Sequence, residues 1–393
     1  MKLDGSYKVT ENSKLGNIGL IVGVIFAVIS VIGYINDHAQ FNLSYMIGFF
    51  FWLSIALGGL FFTMLHHITG AKWSTVLRKL SEAMAWTLPL FVLLFIPIIF
   101  GLHDLFHWSH PEAVAADELL QKKAAFLNTP FFLIRAAAYL ILWTVFAYLI
   151  NKISWKQDIA HDNSMYAAMK KISAPGIIIF ALTITFASFD WLMSLDAHWF
   201  STIFGVYIFA GAFLAFLSFM IIMITFLRGN GILRDVITIE HYHDLGKLVL
   251  GFIIFWAYMA FSQYFLIWYA NLPEENFWYL YRWDNSWEPV GMVIIFGHFV
   301  IPFIGTLFRF GKRKVGFITG MAVWLLVMRF VDLYWLVMPT HYRDGLHFSI
   351  YDIAPLFAIG GLFLWLFWRN YTSRPVVPVN DPSLEYSIKF KNN

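Results

Sequence analysis

The chain of 393 residues contains no cysteine. That absence excludes disulfides, thiolate zinc sites, cysteine-ligated iron–sulfur clusters and c-type haem attachment, so any redox metal that works with this protein resides on another chain. Charge is also scarce: Asp, Glu, Lys and Arg make up 13% of residues, against 60% hydrophobic residues and a mean hydropathy of +0.67. So little charge cannot solvate a globule of this size in water, and the composition belongs to lipid. No phosphate-cradling glycine loop and no nucleophile elbow occurs. The opening stretch MKLDGSYKVTENSK has lysines but lacks a short apolar core followed by a small-residue cleavage site, so the first apolar run reads as a retained helix. No long linker or low-complexity stretch divides the chain, which reads as one membrane domain over residues 1–370 and an extended cytoplasmic tail over 371–393.

What is present is a series of ten apolar runs. A membrane-spanning helix needs roughly 17 to 25 such residues. Candidates lie at Ile18 to Ile35, Tyr45 to Leu65, Ala83 to Leu102, Phe131 to Ile150 and Pro175 to Ser194 in the first half. The second half supplies Ile203 to Leu227, Leu248 to Tyr269, Val290 to Phe310, Gly316 to Met338 and Ile353 to Trp368. Pro89, Pro97 and Pro302 fall inside runs and predict kinks. Of the 27 Lys and Arg residues, 21 fall in the two termini and the 2/3, 4/5, 6/7 and 8/9 loops, four in the loops between, and two inside spans. Basic loops mark the cytoplasmic side, which puts both termini there; topology accounts for the basic residues, and no nucleic-acid partner is implied. The other face holds 12 Asp and Glu residues.

Ionisable groups inside spans are costly in hydrocarbon and each is a site candidate. Asp190, His298, Arg329, Asp332 and Arg135 all fall in the outer half of their spans. Arg329 and Asp332, three residues apart, share one helix face and are placed to pair. Two readings stay open: a buried ion pair that fixes helix packing, or a polar cavity of Asp190, His298, Arg329 and Asp332 that opens outward and handles protons or a polar head group. On the cytoplasmic side, His66, His67 and Glu82 mark one place where protons would enter, and Glu240, His241, His243 and Asp244 another.

His103, His107 and His110 share a helical face beyond the third span, in an exposed interfacial loop that suits a partner better than a metal. A bis-histidine haem is not expected, because His298 is alone in mid-bilayer and His66 and His67 point to different faces. Tyr264, Trp268, Trp278, Tyr279, Tyr281 and Trp283 form an outer aromatic belt that also suits partner docking or a ring-stacking pocket. Gly58, Gly59 and the Ala-Gly-Ala run at 210–212 permit close helix packing. The fifth span ends Phe189, Asp190, Trp191 and then reaches His198; the ninth ends Phe330, Val331, Asp332 and then reaches His341. The likeness suggests two similar four-helix units, spans 2 to 5 and 6 to 9, with spans 1 and 10 peripheral.

The stretches FASFDWLMSLDAHWFS, GVYIFAGAF and LGKLVLGFIIFWAYMAFSQYFLIWYANLPEE resemble the NrfD/PsrC-like membrane anchors, and among them the second quinone-binding membrane component of bacterial alternative complex III. The resemblance covers essentially the whole chain. It implies a cofactor-free subunit of a quinol:cytochrome c oxidoreductase in the bacterial cytoplasmic membrane, beside a paralogous NrfD-like subunit and lipids, with iron–sulfur and haem c subunits on the periplasmic face. Quinol or menaquinol would be oxidised near that face, with Asp190, Asp332 and His298 as candidate bases. A stand-alone proton-coupled transporter and a purely structural anchor are the alternatives.

Overall fold

A computed structural model describes residues 2–3, 7–11, 14–160, 162 and 164–392. Among these, ten helices are long and apolar enough to cross a membrane: Leu15–Asn36 (α1), His38–Thr69 (α2), Lys72–Phe100 (α3), Thr129–Ile159 (α4), Ser164–Asp196 (α5), Phe204–Gly229 (α6), Ile239–Ala270 (α7), Trp287–Leu307 (α8), Val315–Thr340 (α9) and Ile350–Thr372 (α10). The protein is an all-α polytopic membrane protein. A small antiparallel pairing of Lys2–Leu3 with Val9–Glu11 precedes α1.

Several helices outrun their apolar runs because their first turns are polar and capped. Asp37 accepts from the Gln40 amide ahead of α2, Asn128 from Phe131 ahead of α4, and Thr238 and Ser349 form capping boxes ahead of α7 and α10. The largest difference is in α3. It begins eleven residues before Ala83, through a 3₁₀ turn at Lys72–Leu77, and carries the buried charges Arg78, Lys79 and Glu82. Hydropathy misses such a start because its charges pair internally. The prolines act as expected: α3 breaks into Arg78–Ala85, Leu88–Leu94 and Ile96–Phe100 around Pro89 and Pro97, and α8 widens to a π turn over Ile295–Val300 just before Pro302. A proline removes one amide donor and crowds the carbonyl four residues back, and the wider turn accommodates it.

Helices α2 to α5 pack as one group and α6 to α9 as a second; the two meet through α2 and α6, and α1 lies outside against α10. At the α2 to α6 contact, a Cβ on Gly58 would stand 2.2 Å from the Phe216 Cβ, so the backbone approach there requires glycine. Gly361 does the same for α10 against Gly19 and Gly23 of α1.

The tail departs from the expected extended arm. Val376 and Val377 are fully buried, the Val376 amide donates to the Tyr7 carbonyl, and a short helix forms at Leu384–Ile388. Burial of apolar side chains and a countercharge at Asp381 for Arg78 draw it back onto the bundle.

Candidate functional site

Each four-helix group holds one buried carboxylate paired with arginine and tyrosine. In the first, Arg135 of α4 grips Asp190 of α5 through two bonds of 2.8 Å, and Tyr139, one turn on from Arg135, donates to the same carboxylate at 2.8 Å. The remaining guanidinium nitrogen donates to the Phe126 carbonyl at 2.9 Å, and the Phe126 ring lies 3.8 Å from the guanidinium carbon. Every strong acceptor here is satisfied, as a bidentate pair in low dielectric requires. The adjacent Trp191 is sealed among Phe49, Phe50, Phe95, Tyr139 and Trp143. The arrangement is closed.

In the second group, Arg329 donates to Asp332 at 2.8 Å within α9 and to Ser54 of α2 at 3.2 Å, so its side chain crosses between the two groups. Tyr207 of α6 donates its hydroxyl to the other Asp332 oxygen. Gly211, one turn after Tyr207, makes room for the guanidinium: a Cβ there would lie 2.3 Å from Nη1. The Ala-Gly-Ala run therefore admits a side chain more than a helix. The Trp256 ring packs on Tyr207 at 5.9 Å and stacks on His298 at 3.9 Å. His298 sits in the π turn of α8, with its Nδ1 buried and unpartnered, while the Gly297 carbonyl accepts from Trp324 at 2.7 Å.

Asp190, His298, Arg329 and Asp332 thus do not line one polar cavity; of the two readings, the arrangement of Arg329 with Asp332 is the buried ion pair. Asp190 is enclosed with Arg135 in its own group. Asp332, Arg329 and His298 gather in the other, behind Tyr207 and Trp256. What opens in front of those two rings is an aromatic cleft of about 670 Å³ between α6, α7, α8 and the end of α9. Its walls include Tyr264, Trp283, Gly291 and Trp335. Gln263 lies at its outer edge, donating to the Tyr279 hydroxyl at 3.1 Å and accepting from Ser201 at 3.0 Å. Burial pushes the Tyr279 phenol well up, so it stays a hydrogen-bond donor. The indole N–H groups of Trp283 and Trp335 are buried at the cleft without a partner. Buried indoles normally find an acceptor, and these two have none within the described residues.

The residues that carry this cleft include Tyr207, Trp256 and Gly291, which the sequence pattern did not mark, and Trp335, which follows Asp332 at the end of the ninth span. The one signal for them was the i, i+4 pairing of Tyr207 with Gly211, a large polar ring next to a gap on one helix face.

At the acidic end a second cavity of about 690 Å³ is lined by His103, His107, His110, His198 and His341 together with Asp104, Asp196, Glu274 and Arg343. The loop histidines therefore meet the two histidines that mark the ends of α5 and α9. No set of three among the described residues is arranged to hold a metal. His198 bonds Asp117 at 2.6 Å; with the Leu119 and Leu120 amides this holds the Asp117 carboxyl below the usual range.

At the basic end His66, Glu240 and His241 are held by hydrogen bonds and His67 is not. His66 Nδ1 lies 2.9 Å from the Ser74 hydroxyl, and His67 is fully buried with neither ring nitrogen bonded. Glu240 takes two bonds, 2.8 and 2.7 Å, from Arg313, and His241 Nδ1 accepts the Thr238 amide at 3.0 Å as part of the α7 cap. The two sets belong to different four-helix groups. Compared with models of known families and with curated proteins, the chain matches none.

Proposed function

We propose that this chain is an integral membrane subunit of a quinol:cytochrome c oxidoreductase of the alternative complex III type, and that its aromatic cleft accepts the quinol head group. The observation that carries the reading is the cleft itself, flat aromatic walls with the unpartnered indole donors of Trp283 and Trp335 and a tyrosine hydroxyl already directed at a buried carboxylate. A planar ring bearing two oxygens and an isoprenoid tail suits it, because the ring stacks, the oxygens meet the indoles and Tyr207, and the tail passes into lipid.

In this reading the quinol gives up two electrons and two protons. The electrons go to iron–sulfur and haem c subunits on the periplasmic face, since this chain has no thiolate ligand of its own. One quinol proton passes to the Tyr207 oxygen as the tyrosine proton moves to Asp332, and the other leaves to water on the periplasmic side. Arg329, held by Ser54, keeps that carboxylate in place. The basic end is then cytoplasmic, the membrane is the bacterial inner membrane, and a paralogous NrfD-like subunit packs alongside. Catalysis by this chain alone is not part of the reading.

Purification from the native membrane through a tag after Asn393 tests it. Recovery with haem c and iron–sulfur partners is expected; recovery of the chain alone contradicts it. The closed state of the Asp190 site favours one second reading, a structural anchor, in which substitutions at Tyr207 change assembly but leave turnover per assembled complex unaltered.

A further inference from the structure

The densest buried charge in the protein lies at the basic end. Arg78, fully buried, has its Nε 3.0 Å from Glu82, its Nη1 2.5 Å from Asp381 and its Nη2 2.7 Å from Gln157. Lys79 beside it reaches Asp158 at 2.5 Å and the Ser154 hydroxyl at 2.7 Å, and Ser154 donates to Glu82 at 2.6 Å. A polar cavity of about 20 Å³, enough for one water, touches Lys79, Glu82, Ala83, Asn151 and Arg374. One member of this network, Asp381, comes from the tail.

The tail makes further bonds across the same end. Asn380 donates to the Gln157 and Asp158 carbonyls at the end of α4, at 2.9 and 3.1 Å. Ser387, fully buried, donates to the Trp73 carbonyl at 2.6 Å and accepts the Val76 amide at 3.3 Å. It thereby stitches the 3₁₀ turn whose Ser74 holds His66. The Phe390 ring packs on His241, and Asn392 reaches Glu240 of α7 at 3.3 Å. The segment thus spans from the first helix group to the second.

We propose that residues 375–392 form a latch that seals this buried charge network from water, with Asp381 as its fastening point and its release as the step that exposes Glu82. A fastening made by a charged bond to a buried arginine is strong while both partners are present. Removing Asp381 leaves Arg78 to Glu82 and Gln157 and takes away the charged bond that ties the tail to the bundle, which favours opening. The latch does not depend on the quinol reading, since it stands at the opposite end of the bundle.

The absence of native cysteine gives a clean test. Ala83→Cys, placed in the wall of the small cavity, is exposed to a water-soluble maleimide in open membrane fragments carrying the whole complex. In the otherwise unchanged chain the thiol reacts slowly. Asp381→Asn raises the rate about tenfold or more, the factor a lost charge-assisted bond implies, and a chain ending at Arg374 raises it further. If the shortened chain fails to accumulate, Asp381→Asn and Ser387→Ala carry the test alone, with thermal unfolding confirming an intact bundle. Equal labelling rates with and without Asp381 overturn the proposal, as does a rapid rate in the unaltered tail.

Discussion

Asp190 and Asp332 stand near corresponding ends of α5 and α9, yet they draw their arginine from different places. Arg135 reaches Asp190 across from α4, whereas Arg329 reaches Asp332 from three residues back on the same helix. The first arrangement ties two neighbouring helices and leaves nothing open. The second frees the opposite side of Asp332 for Tyr207 of α6, and the aromatic cleft lies in front of that tyrosine.

Removing Arg329 leaves Asp332 buried without a countercharge, and Arg329→Ala should destabilise the chain by about 3–5 kcal/mol, the range for breaking a buried pair. Gly211→Ala should act in the same direction, because the added methyl displaces the guanidinium. Thermal unfolding in detergent measures both. Replacing Arg329 and Asp332 together with Met and Leu should recover most of the loss; a double variant as unstable as Arg329→Ala would count against the pairing argument.

Tyr207→Phe keeps the ring and its packing but removes the hydroxyl. Turnover per assembled complex should fall by about a hundredfold, the lower end of the range for loss of a proton-transfer group. Tyr139→Phe at the closed site should leave turnover unchanged. Equal effects at the two tyrosines would remove the distinction drawn between the two groups.

Gly291 opens one wall of the cleft, where a Cβ would come 3.8 Å from the Trp335 indole nitrogen. Gly291→Leu should fill the space and raise KM for a short-chain quinol strongly. Trp283→Phe, which keeps an aromatic ring but loses the donor with the pyrrole part of the indole, should weaken binding by about tenfold, near 1.4 kcal/mol. Steady-state kinetics against quinol concentration separates the two.

The Asp117 to His198 contact pins the loop between α3 and α4 to the end of α5. Because the folded carboxyl sits below its ordinary value, the stabilisation is complete above the usual carboxylate range and is lost as pH falls through the lowered value. Protease cleavage in residues 107–125 should stay slow down to about pH 4 and accelerate below it; acceleration already near pH 6 would contradict the assignment.

The number and place of the spans were readable from hydropathy because spanning length is set by the bilayer. All ten helices lie where the runs predict, and Pro89, Pro97 and Pro302 mark real breaks. The start of α3 was hidden, since Arg78 and Glu82 read as loop charges until Gln157 and Asp381 reach Arg78, and Ser154 reaches Glu82, from far along the chain. The pairing of Arg329 with Asp332 followed from helix spacing, whereas that of Arg135 with Asp190 spans two helices and needed the fold. The cleft was harder still. Trp283 and Tyr279 looked like ordinary members of an interface belt, and only helix packing turns that belt inward at α7 and α8. The tail carried just a weak signal, the Val376 and Val377 pair within a polar, proline-containing stretch.

The account turns most directly on where a quinol ring binds. A density map of the purified complex with a quinone bound should place the ring in the cleft of this chain, within hydrogen-bonding reach of Tyr207 or Trp283. Ring density confined to the paralogous subunit, with this cleft filled by lipid, would contradict it.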